Sequence, residues 1–310
     1  YRLTARYKTA GQSATEWHWY GADGSRDHAV VASPTKTLAM TLYEVNPLTV
    51  NAIAATQAGR STFASLTDPN NGKFNLNHLD FLQANCLWFQ PIHPNANTGR
   101  GNPSGFEPGS PYATRDCFAV SGWLGSDATE ATAMTEFTNF VALCDQHTGS
   151  VGTINVMLDG VFNHTAWDAE YGQGGVDLGL CASADDLIGL TRPGWYALVS
   201  DYGAPATGYT DAYANPDRGD FGKWPDAAEL YFGNYAALVR HNPEDNDNYT
   251  SEADWYDYAG MSADVKDLWR YFAYYADFWL AKTGHPCTNG LDAALDDLGI
   301  DGLRCDFGQG

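Results

Sequence analysis

Two rhythms of apolar residues run through this chain. The first is a short, nearly continuous apolar run that ends on polar residues or proline. It occurs at Thr37-Leu-Ala-Met-Thr-Leu-Tyr-Glu-Val45, Cys86-Leu-Trp-Phe-Gln90, Thr153-Ile-Asn-Val-Met-Leu158 and Gly302-Leu-Arg-Cys305. Runs of this length predict buried strands. The second rhythm recurs every three or four residues and predicts helices. It places Leu76, Leu79, Phe81 and Leu82 together over Asn75 to Ala84. It places Met134, Phe137, Val141 and Cys144 on one side over Asp127 to His147. Over Val265 to Lys282 it puts Leu268, Trp269, Phe272, Ala276, Trp279 and Leu280 on a core face. A short helical turn is expected over Leu291 to Leu298.

Strand therefore alternates with helix, which predicts parallel βαβ units and an α/β fold. Four strand–helix repeats with long loops after the strands match the first half of a TIM (β/α)8-type barrel. In that fold the chemistry sits at the C-terminal ends of the strands. A doubly wound open sheet is the runner-up, but no G-x-G-x-x-G or P-loop is present to support nucleotide binding. Residues 1 to 33 read differently. Tyr1, Leu3, Ala5 and Tyr7 alternate, as do Trp17 and Trp19, and Gly21-Ala-Asp-Gly24 marks a turn. This is expected to be the C-terminal part of an N-terminal β-sandwich, with a boundary at Pro34. The barrel part then covers 34 to 310. The stretch from Thr165 to about Ser262 is dense in Gly, Asp, Tyr and Trp and has little periodicity. So long a segment after the third strand predicts a functional insertion or subdomain.

Composition narrows the partners. The 310 residues carry a formal net charge of -21, which argues against nucleic acid or an anionic membrane surface. No apolar run reaches the roughly 18 residues needed to span a bilayer. Ten Trp and eighteen Tyr offer many flat amphipathic faces of the kind that bind sugars, though core packing uses most such rings. The six Cys form no C-x-x-C pair. Cys86, Cys144 and Cys305 read as buried free thiols, while Cys181 and Cys287 sit in loops where they could pair.

The candidate chemistry lies at strand ends. Arg304 and Asp306 are two apart, so a strand points them the same way. A guanidinium that close keeps a carboxylate charged, as a nucleophile or charge stabiliser requires; a structural ion pair is the other reading. Asp159 stands at the tip of the third strand, with Asn163 and His164 one turn on. His93 follows the second strand and is expected to shape its loop, ahead of Ser110-Pro-Tyr-Ala-Thr-Arg-Asp116.

These motifs carry a family resemblance. Asp159-Gly-Val-Phe-Asn-His164 and Gly302-Leu-Arg-Cys-Asp306 resemble the first and second signature regions of the α-amylase superfamily, glycoside hydrolase family 13. Leu42-Tyr-Glu-Val-Asn46, Leu87-Trp-Phe-Gln-Pro-Ile-His-Pro94 and Ser110-Pro-Tyr-Ala-Thr-Arg-Asp116 resemble other segments of it, in the same order. The resemblance implies that the insertion at 165 to 262 is a subdomain B. It implies a retaining glycosidase acting on α-glucosidic bonds of starch- or maltodextrin-like glucans, with no organic cofactor. Asp306 would be the nucleophile and Arg304 its orienting partner. His164 would hydrogen-bond the sugar, Tyr112 would stack on it and Asp159 would brace Arg304. Asn163 would help hold a structural calcium through its side-chain oxygen. Loop packing is the alternative for Tyr112. Trp195, Tyr209, Trp224 and Tyr231 are expected to pack a subdomain, with glucan subsites as the alternative. The acidic run Glu244-Asp-Asn-Asp247 reads as a solvated loop.

Two features depart from the family. Retaining hydrolysis needs a second carboxyl group, roughly 5–5.5 Å from the first, and the family takes it from a fifth strand. The chain is thus expected to be a fragment that is inactive by itself. Gln309-Gly310 also stands where many amylases have Lys-His. That leaves an α-glucan transglycosidase open, and a non-catalytic carbohydrate-binding protein on the same scaffold is the further alternative.

Overall fold

The computed structural model describes residues 6–7, 18–19, 35–97, 109–196, 226–232, 262–285 and 298–306. At the N-terminal end, β1 (Arg6–Tyr7) and β2 (His18–Trp19) pair antiparallel, with Arg6 opposite Trp19. The rest of the expected sandwich segment, and Pro34, lie outside the described residues.

The centre of the fold is a four-stranded parallel sheet. Its strands are β3 (Leu42–Val45), β4 (Cys86–Phe89), β5 (Asn155–Gly160) and β8 (Gly302–Cys305), in that spatial order. The strands follow one another in space as they do along the chain. Such an order needs a crossover between each pair. α1 (Phe63–Thr67) and α2 (Leu76–Leu82) lie between β3 and β4 in the chain. α3 (Glu130–Asp145) lies between β4 and β5, and α6 (Ala263–Thr283) comes before β8. The fold is therefore mixed α/β around a parallel sheet.

The register divides the sheet into two unlike faces. Val45 pairs with Phe89, Phe89 with Leu158 and Leu158 with Leu303. Leu87, Phe89, Val156 and Leu158 have no exposed surface and join one core with Phe63, Leu79, Phe137, Phe140 and Trp279 from the helices. The alternate positions Glu44, Trp88, Met157 and Arg304 point the other way and stay partly or fully open. Period-two alternation is the reason for this division. One face binds the helices, and the other is left for chemistry.

Element limits follow local capping. Asn75 accepts a hydrogen bond from His78 N and starts α2. Asp127 and Thr129 cap α3, so the helix proper begins at Glu130. Ser262 caps α6, and Gly284, at φ 108°, ends it in the left-handed conformation that glycine accepts without strain.

Several expectations need correction. The first strand starts only at Leu42; Thr35–Ala39 forms a 3-10 turn with Leu38 87% exposed. Lys36 Nζ, 2.6 Å from Asp301 Oδ1, ties this turn to the start of β8. In α2 only Leu79 is fully buried, and Phe81 is 82% exposed, because a two-turn helix covers the sheet with a narrow stripe. In α6, Trp269 turns outward and donates Nε1–H to Phe232 O. Tyr271, Tyr275 and Phe278 form the buried face with Leu268, Phe272 and Trp279. The strand β8 is only half-buried, and Cys305 is an exposed thiol, with β5 the one strand paired to β8 among the described residues. Cys86 and Cys144 are buried free thiols, and Cys181 is free. Cys287 and the turn expected over Leu291 to Leu298 lie outside the described residues, save for Leu298.

After β5 the described chain is more ordered than its sequence suggests. β6 (His164–Ala166) pairs antiparallel with β7 (Ala227–Glu229). α4 (Gly172–Asp177) and α5 (Ile188–Thr191) lie between them in the chain. This segment packs on α6: Trp195 is fully buried against the rings of Tyr171 and Tyr271. No helix among the described residues is long and apolar enough to cross a membrane.

The core gives a direct stability test. Phe63 is fully buried, and its ring meets those of Phe89, Phe137 and Phe140, the closest pair of centroids being 5.0 Å apart. Phe63→Ala is expected to cost about 3–5 kcal/mol in urea unfolding. Exposed Phe81→Ala is expected to stay within about 0.5 kcal/mol.

Candidate active site

The mouth of the sheet brings Asp159, Arg304 and Asp306 together. Asp159 and Arg304 are register partners on β5 and β8. Asp306 directly follows β8, where its backbone N–H bonds to Gly160 O at 3.0 Å. Arg304 Nη1 lies 3.0 Å from Asp159 Oδ1, and the same nitrogen donates to Asp306 Oδ1. One guanidinium thus bridges two carboxylates, one on its own strand and one on its neighbour. The two carboxylates differ in setting. Asp159 is 1% exposed, whereas the Asp306 side chain keeps 20% of its surface open.

Electrostatics follow from that arrangement. Burial raises Asp159, and the Arg304 guanidinium and the Trp88 N–H oppose it by favouring the ionised form. Burial pulls Arg304 down, but its bonds to Asp159 and Asp306 outweigh this and raise it. Arg304 is a fixed positive charge, and Asp159 is the buried anion that keeps it in place.

Trp88 and Tyr112 complete the cluster. Trp88 Nε1–H donates to Asp159 Oδ2 at 3.1 Å, and the Arg304 guanidinium carbon lies 4.8 Å from the centre of the Trp88 ring. The Tyr112 hydroxyl reaches Asp159 Oδ2 at 3.4 Å. Burial, reinforced by Asp159, pushes that phenol up to about 12. His164 is 5% exposed; its Nδ1–H donates to Asn163 Oδ1 at 2.9 Å, and the ring also bonds to the Tyr112 backbone. Burial lowers His164, against the pull of Asp306. All six residues singled out in the sequence therefore fall in one region. The sequence marks Trp88 only as part of a buried strand; its parity with Gln90, two residues nearer the mouth, is the available signal. Glu44 and Gln90 share that polar face, with Gln90 Nε2–H donating to Glu44 Oε1 at 2.9 Å.

At Asn163 the oxygen expected to face a calcium ion is already hydrogen-bonded. A hard cation takes six to eight oxygen ligands. Asn163 Oδ1 is engaged by His164, and Nδ2 is a buried donor with no partner. No group of three or more His, Cys, Asp or Glu converges among the described residues.

His93 takes a structural place. It is 4% exposed, with Nδ1 2.9 Å from Ala119 O and Nε2 2.8 Å from the Tyr275 hydroxyl. It joins the loop after β4 to α6. Trp195 belongs to the core and Tyr231 follows β7 with its N–H on Trp195 O. Tyr209, Trp224, the acidic run at 244 to 247 and Gln309-Gly310 lie outside the described residues.

No family model matches the chain, and no curated protein matches it. Solved structures do. The fold is similar to an alpha-amylase from Lactobacillus plantarum, with a TM-score of 0.47 and 19% identity over 88% of this chain and 39% of that one. It is similar to a cyclomaltodextrinase, with a TM-score of 0.46 and 18% identity over 90% of this chain and 36% of that one. A cyclic alpha-maltosyl-(1→6)-maltose hydrolase from Arthrobacter globiformis gives 0.45 and 18%, over 90% and 46%. These neighbours are enzymes of the α-amylase family. The chain spans less than half the length of each of them.

The buried histidines make stability depend on pH. Burial pushes His93 down from 6.5 to about 4, against the hydrogen bond to Ala119. The unfolded chain therefore binds more protons than the folded one as pH drops. Stability is full above about pH 6.5 and is lost as pH falls toward 4, by on the order of 3 kcal/mol from His93. Urea midpoints measured from pH 7.5 to 4 should show this slope. His93→Gln should lower the midpoint at neutral pH and flatten the slope, with His164 retaining part of it.

Proposed function

We propose that the protein carrying this chain is a retaining glycosidase of α-amylase type that hydrolyses α-glucosidic bonds in starch- or maltodextrin-like glucans. The reading places the parallel sheet in the first half of a (β/α)8-type barrel and the segment after β5 in a subdomain B. The observation that carries it is the Arg304 guanidinium held between buried Asp159 and accessible Asp306 at the C-terminal end of neighbouring strands. The order of the resembling motifs along the chain supports it.

In this mechanism the Asp306 carboxylate attacks the anomeric carbon while the bond to the leaving oxygen breaks. A glycosyl-enzyme ester forms on Asp306, and water then hydrolyses it with overall retention. Arg304 holds the Asp306 oxygen it contacts, so the other oxygen is free to attack. Asp159 anchors Arg304. Tyr112 offers its ring face to the sugar, and His164 a neutral imidazole edge for a hydroxyl. The acid that protonates the leaving oxygen is assigned to none of these residues. Glu44 shares the polar face, but β3 and β8 are opposite edges of the sheet, and Gln90 holds its carboxylate.

The intact protein tests this with maltooligosaccharides. Asp306→Asn should lower kcat by about 10⁴-fold or more while the protein stays folded. NMR of the first products should show the α-anomer. Near wild-type turnover by Asp306→Asn overturns the assignment of the nucleophile. Elongated products would turn the reading to a transglycosidase, and calorimetric maltoheptaose binding without turnover to a carbohydrate-binding protein.

A further inference from the structure

The geometry points to Trp88 as the residue that positions the Asp159–Arg304 pair and, through it, Asp306. The inference rests on the reading of Asp306 as nucleophile. Arg304 reaches both carboxylates through the same nitrogen, Nη1. A fork held at one nitrogen can still swing about it. Something else must set the plane of the guanidinium, and its carbon lies 4.8 Å from the Trp88 ring centre. Cations favour such a face, and arginine stacks on it.

The same indole also holds the buried anion. Its N–H donates to Asp159 Oδ2 at 3.1 Å, while Arg304 Nη1 reaches Oδ1 at 3.0 Å and Oδ2 at 3.3 Å. An indole N–H lies in the plane of the ring and the π face lies across it. One rigid side chain with two torsions therefore fixes two partners in perpendicular directions. Tyr112 also reaches Oδ2, at 3.4 Å, but from a loop. Trp88 stands within β4, paired with Glu44 on one side and Met157 on the other. A tryptophan that served only as core filling belongs on the opposite face, with Leu87 and Phe89 against the helices. Trp88 is instead half-buried on the face of the candidate site.

Two substitutions and one spectroscopic signal test this in the intact protein. Trp88→Phe keeps a ring under Arg304 and removes the N–H; Trp88→Leu removes both. Positioning acts on the transition state, so kcat should fall about tenfold and about a hundredfold, with KM nearly unchanged. The indole N–H signal absent from the NMR spectrum of Trp88→Phe identifies Trp88, and Asp159→Asn should shift that signal. Folded variants that both keep kcat within about twofold of wild type overturn the proposal. So does a Trp88 signal that Asp159→Asn leaves in place. If Trp88→Leu does not fold, Trp88→Phe and the signal decide. If the wild type turns over no α-glucan, the glycosidase reading fails separately, and the indole signal decides whether Trp88 holds the pair.

Discussion

Arg304 carries a charge that cannot be removed at any ordinary pH. Its side chain is 34% exposed but reaches a carboxylate buried on the neighbouring strand, where a charge without a partner costs far more than a hydrogen bond returns. Asp159, almost without exposed surface, answers it from β5. That pairing demands the observed register, because sliding β8 by one residue turns Arg304 to the helix face. The electrostatic demand at the mouth and the packing demand of Leu303 beside Leu158 therefore select the same alignment. Asp306 receives its position from both, through a backbone bond to Gly160 and a side-chain bond to Arg304.

The division of the sheet into two faces makes this possible. Phe63, Phe89, Phe137 and Phe140 interlock between strand and helix at centroid spacings of 5.0 to 5.9 Å. Close packing of this kind resists small shifts, so the strands hold their polar ends in fixed relation. Aromatic residues occur on both faces with different duties. Phe89 fills volume, while Trp88, its neighbour in sequence, presents an edge to an anion and a face to a cation.

The loops at the mouth are secured from behind. His93 joins the turn after β4 to Tyr275 of α6, and Trp279 Nε1–H donates to Cys117 O at 3.0 Å. Tyr271 bonds to Tyr171 O at 2.9 Å. These contacts tie the segments before and after β5 to one long helix. Their ring nitrogens and hydroxyls are buried with partners, as buried polar groups require. Tyr112 and His164, on those segments, are thereby held at the same mouth as Asp306.

The amino-acid sequence by itself determined the repeating strand and helix, the parallel sheet that follows from it, and which residues would stand at strand ends. Period two placed Arg304 and Asp306 on one side, and a helical period placed Phe137, Val141 and Cys144 on another. These are local rules, each settled within a few residues of chain. Only the tertiary structure decided which ring lies under Arg304, which oxygen of Asp159 takes the Trp88 N–H, and that Trp269 faces outward while Tyr271 and Tyr275 face in. It also bound Asn163 to His164. Those outcomes depend on residues far apart in the chain. Trp88 and Arg304 are brought together only when β4, β5 and β8 take their places in one sheet, and nothing in either neighbourhood alone records the other.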